Sequence, residues 1–275
     1  MLIDTHAHLN FKDFDDDREE IIKQCQKNDI VVLNIGVNYT TSKEVIELAE
    51  KYNNCWATVA VHPHDIAESR DGVGFDYNKF LELAKHSRVV GIGECGLDYQ
   101  LIEADKRRLG TQIDAEKAQK QQQEIFIQHL KLAQEVDKPI IIHSRRLFPE
   151  ILEIIKTFQA SSIKHLNGVL HCYMGRWSYA EEYLKLGFYL SFTGLITYAR
   201  DYDKVIKNCP LDRILIETDS PYLTPDPLRK KDEIVRNTPL NVELVARKIA
   251  EIKGISFEEV AEQTTKNAQK LFKIQ

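Results

Sequence analysis

Short apolar runs and longer amphipathic stretches alternate from one end of the chain to the other. The apolar runs cover residues 2–5, 30–35, 56–61, 89–93, 140–143, 168–171, 188–191 and 214–217. Each is short enough, and rich enough in Ile and Val, to predict a buried strand. Between them the apolar positions recur at helical spacing. They predict helices over 15–28, 41–52, 77–86, 115–136, 147–158, 179–186 and 202–208, then a final pair over 240–253 and 257–272. Thr40 or Thr41 is the expected N-cap of the second helix. Eight strands, each feeding a helix, imply a parallel sheet covered by helices. Eight units of this length predict an α/β fold of the (β/α)8 TIM-barrel type, although a doubly wound sheet gives a similar pattern.

Composition narrows the classes. The 275 residues are close to the roughly 250 of one (β/α)8 barrel, and no composition shift marks a second domain. Hydrophobic residues at 43% exclude a disordered chain. No apolar run approaches a membrane span. The polar Asp4 follows the start at once, so a secretory leader is not expected. Five scattered cysteines (25, 55, 95, 172, 209) without CxxC spacing read as reduced thiols of a cytoplasmic protein. A formal charge of −5 means that any polyanion site must come from local charge. No long exposed apolar stripe is evident, so a monomer is expected. Residues 100–114 read as a long polar loop after the fourth strand.

The chemistry-bearing residues gather at the ends of the apolar runs. His6, His8, Glu94, His143, His171 and Asp219 all sit at or just after such runs. A lone buried His is usually a satisfied core residue, but four His and two carboxylates at strand ends are a mixed donor set for metal ions. In a parallel barrel all strand C-termini open on one face, so these residues converge. Strand alternation puts His6 and His8 on one side, with Asp4 sharing their parity as a partner for a ligand ring. The same alternation turns Cys95 and Cys172 away. His86, His129 and His165 are read as surface residues. Two divalent ions need anionic compensation, which Glu94 and Asp219 supply. Imidazole ligands suit zinc, manganese, nickel or iron and bind magnesium more loosely.

The strings IDTHAHLN (3–10), VAVHPHD (59–65), GIGECGLDY (91–99), PIIIHSR (139–145), LHCYMG (170–175), IETDSPYL (216–223) and RNTP (236–239) resemble the TatD family of metal-dependent deoxyribonucleases. The resemblance runs nearly the full chain. It implies a (β/α) barrel with a divalent-metal centre acting on DNA phosphodiesters, and it places the same six residues on the family's metal-ligand positions. Three departures stand out. Tyr173-Met174 replaces a common Phe-Thr, Thr238 replaces a common Glu, and the loop after Tyr99 is longer.

The expected reaction is metal-assisted hydrolysis of DNA by a 3'-5' exonuclease that takes single strands or strand ends. Two divalent ions are the expected cofactors, magnesium for activity with zinc, manganese or nickel as alternatives. His6 and His8 are expected on one ion, His143 and His171 on the other, with Glu94 bridging. Asp219 would orient the attacking water and accept its proton. His62, His64 and Arg145 are the expected phosphate contacts, although His62-Pro63-His64 also reads as a polar turn. Basic residues of the loops (Lys106 to Arg108, Arg145, Arg146, Arg176, Arg200, Arg229 to Lys231, Arg236) predict a cationic mouth. Tyr99, Tyr173, Trp177, Tyr198 and Tyr222 are candidates for base stacking. Two other classes fit less well. One is an amidohydrolase acting on a small molecule, or on an ester or amide bond at a nucleic-acid end. The other is a metal-stabilised adaptor without turnover.

Overall fold

The computed structural model describes residues 1–68, 75–100, 102, 115–161, 165–230 and 232–274. Most of the long loop after Tyr99, with Lys106, Arg107 and Arg108, lies outside these residues, as does Lys231. Eight parallel strands, β1 (Leu2–Ala7), β2 (Ile30–Ile35), β3 (Cys55–Val59), β4 (Val89–Leu97), β5 (Ile140–Ser144), β6 (Gly168–Leu170), β7 (Tyr189–Phe192) and β8 (Ile214–Ile216), lie in sequence order. An isolated parallel bridge, Ala7 to Ser220, joins the first edge to the last. The Asp219 amide donates to His6 O, and the His8 amide donates to Ser220 O, both at 2.8 Å. The sheet thus forms a nearly closed (β/α)8 barrel, joined at the C-terminal ends of its strands.

Two apolar layers follow from strand alternation. Ile3, Leu33, Ile35, Val90, Ile141, Val169, Tyr189 and Leu215 fill the barrel interior. Ala268, Leu271, Phe272 and Ile274 from the last helix (Phe257–Phe272) and its end join that interior cluster. Thr265 on the same helix donates to Met1 O, which places this plug at the N-terminal mouth. The opposite mouth is the one left for chemistry. Outside the barrel, Leu2, Ala7, Ile92, Cys95, Leu97, Ile140 and Ile142 pack under the helices.

Two strands break their alternation just where the site begins. Leu2 and Ala7 are five residues apart yet share the helix-facing layer, because the β1–β2 register shifts between Asp4 and Ala7. Ile92 and Cys95 are three apart and also share it, across a shift in β4–β5 pairing. Each irregularity adds a residue to the count and turns the next side chain to the other face. His6 and Glu94 face the mouth as a result. The same shift corrects the expected partnership of Asp4 with a ligand ring. Its carboxylate accepts from Thr218 N at 2.9 Å and Thr218 Oγ1 at 2.6 Å instead, tying β1 to the end of β8.

Glycine is required where β4 meets β5. A Cβ on Gly93 (φ 152°) would lie 2.5 Å from Ile141 Cβ, and one on Gly96 (φ 150°) only 2.0 Å from His143 O. The strands approach closely there because Glu94 must reach His143.

The helices differ from expectation in detail. Asn38 caps the second helix (Tyr39–Lys51), accepting from Thr41 N while Thr41 Oγ1 accepts from Asn38 N. A short helix, Pro63–Glu68, follows β3 where a polar turn was expected. His129 is buried rather than on the surface. Its Nδ1 donates to Ile125 O at 2.8 Å, and its Nε2 accepts from Val61 N at 3.0 Å. No helix among the described residues is long and apolar enough to cross a membrane.

Candidate metal centre

Glu94 stands at the middle of the mouth with each carboxylate oxygen facing a different group. Oε1 lies 2.7 Å from His143 Nδ1, 2.7 Å from His171 Nε2 and 3.5 Å from His62 Nε2. Oε2 lies 3.3 Å from His6 Nε2 and 4.0 Å from His8 Nε2. Asp219 Oδ1 closes the second group, 3.7 Å from His6 Nε2 and 3.5 Å from His8 Nε2. The six expected ligands are therefore brought together from β1, β4, β5, β6 and β8. His62, expected to touch substrate, lies with Glu94 and His143 in one compact donor group. A second group is His6, His8 and Asp219, and a third is His6, His171 and Glu217.

Two carboxylates that the sequence reading passed over orient the imidazoles from behind. Asp98 Oδ2 lies 3.4 Å from His143 Nε2, on the far side of the ring from Glu94. Glu217 Oε1 lies 3.3 Å from His171 Nδ1, an ionic contact without hydrogen-bond geometry, and that carboxylate accepts from Cys172 N and Ser191 Oγ. A carboxylate on the outer nitrogen of an imidazole turns the inner nitrogen toward a metal and raises its basicity. Alternation could have found Glu217, which shares the parity of Asp219 and the interior Leu215. Asp98 had no such signal, because it lies just past the irregular end of β4.

The donor set fits divalent cations. His6 is fully buried, and no hydrogen bond of acceptable geometry reaches its Nδ1 or Nε2, nor His8 Nδ1. A buried nitrogen without a partner is costly, whereas one aimed between two carboxylates is a metal-ligand position. The electrostatics agree. Burial pushes the Glu94 carboxyl up, but the surrounding His171, His62 and His6 hold it well below the usual carboxylate range. Asp219 is also held low, burial being outweighed by His8 and His6. Burial lowers His171, yet Glu94 and Glu217 carry it well above an ordinary imidazole. These carboxylates favour any positive charge placed between them.

A sequence profile described as TatD related DNase matches residues 3–273. The chain belongs to this TatD family. A Bacillus subtilis relative, the uncharacterized metal-dependent hydrolase YabD, is 39% identical over the full length of both chains. A mouse relative, TATDN3, whose name places it provisionally among deoxyribonucleases, is 32% identical over 98% of this chain and 88% of its own. The crystal structure of the TatD homolog YJJV from Escherichia coli superposes with a TM-score of 0.83 at 25% identity. It covers 100% of this chain and 98% of that one. The protein is thus a TatD-family metal-dependent hydrolase.

Above the centre of this TatD-family barrel lies an open cavity of about 450 Å³. His62, His64, Asp65, Asp98, Arg145, Phe11 and Tyr222 line it around the ligand set. Among the described residues Arg145 is the one Lys or Arg in that lining, 3.8 Å from Asp98 through its Nη1. Among the described residues, four of the cations expected at the mouth are held by carboxylates. Arg200 pairs with Asp203, Arg229 with Asp226, Lys230 with Glu233 and Arg236 with Asp17. The expected stackers divide in the same way. Tyr173 is buried and donates to Arg176 O, Tyr99 accepts from Gln123, and Tyr198 lies under Arg229. Tyr222 alone among them is more than half exposed and lines the cavity. Phe11, stacked on the His8 ring at 4.5 Å, also lines the cavity and was not anticipated.

Proposed function

We propose that this TatD-family hydrolase is a two-metal deoxyribonuclease that removes nucleotides from the 3' end of a DNA strand. The observation that carries the reading is the division of Glu94, with one oxygen toward His143 and His171 and the other toward His6 and His8. A carboxylate shared in this way suits two ions about 3.5–4 Å apart, as in phosphoryl-cleaving centres. When bound, the ions supply positive charge at the scissile phosphate and lower the pKa of water toward about 7. Magnesium is the proposed ion for turnover, with zinc, manganese or nickel as alternatives.

The chain's own groups do the rest. Asp219, held ionised among the imidazoles, accepts the proton of the attacking water as the P–O3' bond breaks, and the leaving 3' oxygen takes a proton from solvent. Arg145 reaches a non-bridging phosphate oxygen as a charge-assisted donor. His64, partly exposed on the cavity wall, donates to the phosphate or the terminal hydroxyl. Phe11 and Tyr222 hold the terminal base by stacking. The interior below the centre is filled by side chains, so substrate enters and leaves by one mouth. That geometry suits attack at a strand terminus.

The pairing of Arg200, Arg229, Lys230 and Arg236 favours one alternative, an ester or amide bond of a small molecule or at a nucleic-acid end. A metal panel with and without chelator tests both readings. With single-stranded DNA labelled at its 5' end, the expected result is a ladder that shortens from the 3' end and vanishes with chelator. With the label at the 3' end, a labelled mononucleotide should be released at once. Turnover of simple esters or amides with no oligonucleotide cleavage would sink the nuclease reading.

A further inference from the structure

A second groove, about 630 Å³ and open, lies at the same end of the barrel, where the chain leaves β6 and β7. Met174, Arg176, Trp177, Tyr202 and Lys204 line it, together with Glu181 and Asp201. Trp177 and Tyr202 are half-buried, packed against the hydrophobic core while lining the groove. Among the described residues Arg176 and Lys204 enter no ion pair, and the Trp177 indole and Tyr202 hydroxyl have no hydrogen-bond partner. Met174 is 38% exposed, a large apolar side chain left in solvent.

The groove adjoins the metal centre through two consecutive residues. Arg145 lines the catalytic cavity. Arg146 is exposed beside it, and although burial pushes the Tyr202 hydroxyl up, Arg146 is the cation near enough to pull it down. The opposite side of the mouth differs in charge. There Asp13, Asp15, Asp16 and Asp17 follow β1, and Asp13 is close enough to act on Tyr222. The nearby guanidiniums are already committed, Arg18 to Asp15 and Arg236 to Asp17. A polyanion leaving the centre toward β1 meets a run of four Asp, two of them paired, and toward β6 and β7 it meets Arg146, Arg176 and Lys204 alongside Glu181 and Asp201.

We propose that this groove holds the single-stranded nucleotides beyond the scissile phosphate, with bases stacked on Trp177 and Tyr202 and phosphates beside Arg176 and Lys204. The proposal rests on the phosphodiester reading above. Glu181 and Asp201 balance Arg176 and Lys204, so stacking rather than bulk attraction supplies most of the affinity. The salt dependence of binding should accordingly be shallow.

The test compares kcat/KM on a thymidine dinucleotide and on a longer oligothymidylate, using the metal-loaded protein. Trp177→Ala should lower the ratio of long to short substrate by about tenfold, the loss of one stacked base. Arg176→Ala combined with Lys204→Ala, at exposed positions that do not threaten folding, should lower the same ratio. An unchanged ratio in both variants overturns the proposal. Tryptophan emission gives a readout independent of turnover. The other tryptophan, Trp56, is covered by Arg88 at 4.0 Å. Oligothymidylate should therefore quench the wild type and not Trp177→Phe. Quenching without cleavage of any oligonucleotide keeps the groove and removes the nuclease reading. Cleavage without quenching removes the groove and keeps the nuclease.

Discussion

Glu94 and Asp219 carry charge in a place where few groups could remain ionised, and the imidazoles around them are the reason. Asp219→Asn keeps the shape and removes the proton acceptor. Turnover should fall about 100- to 10,000-fold, the usual range for a general base, with a melting temperature close to wild type. Near-full activity would end that assignment. Asp98→Asn and Glu217→Gln act one step back, on the rings of His143 and His171. Each should weaken metal binding by about 10- to 100-fold in a calorimetric titration. His129 tests the fold next to the site. Burial lowers its pKa to about 4. The unfolded chain, with its imidazole near 6.5, binds the proton first. The contribution of neutral His129 is therefore full above about pH 6.5 and is lost as pH falls toward about 4, by up to roughly 3 kcal/mol. His129→Leu leaves Val61 N–H unpaired, which costs about 1–3 kcal/mol at neutral pH. Urea midpoints of the two proteins should converge on acidification. Parallel curves would refute the idea. The ligand types were legible in the sequence because they end apolar runs. The burial of His129 was not, because one polar residue on a helix looks the same whether its partners are water or a strand.

At the scale of elements, β1 and β4 matter most, since their register shifts aim His6 and Glu94 into the mouth. Gly96 permits the close approach of β4 to β5. Gly96→Ala should push Glu94 away from His143, destabilise by more than about 2 kcal/mol and lower metal affinity with it. Unfolding curves and metal titration of the one variant check both effects, and a stable variant with normal affinity would contradict the close-approach argument. The eight strands and nearly all the helices were legible from periodicity. Strand irregularities were not, because a bulge is set by the register of its partner and leaves no local mark in composition.

For the whole molecule, one of the donor groups, His6, His8 and Asp219, lies where β1 meets β8, so that part of the candidate metal site is built on the barrel closure. Ions that bind the folded chain and not the unfolded one stabilise it, by about 2.7 kcal/mol at a hundredfold excess over Kd. Chelation should lower the melting temperature, and added manganese or zinc should restore it. No change on chelation would mean that the donor groups hold no ion. The sequence by itself determined the barrel, the family and which His and carboxylate residues gather at its mouth. Strand periodicity and residue type are local properties, and each ligand lies beside its own apolar run. Tertiary structure decided which carboxylates stand behind the imidazoles, that His62 joins Glu94, and that Asp4 ties β1 to β8. It also decided that Arg200, Arg229, Lys230 and Arg236 are held by carboxylates of their own. These outcomes depend on which side chains meet across the barrel, and only the closed sheet with its shifted registers sets those distances.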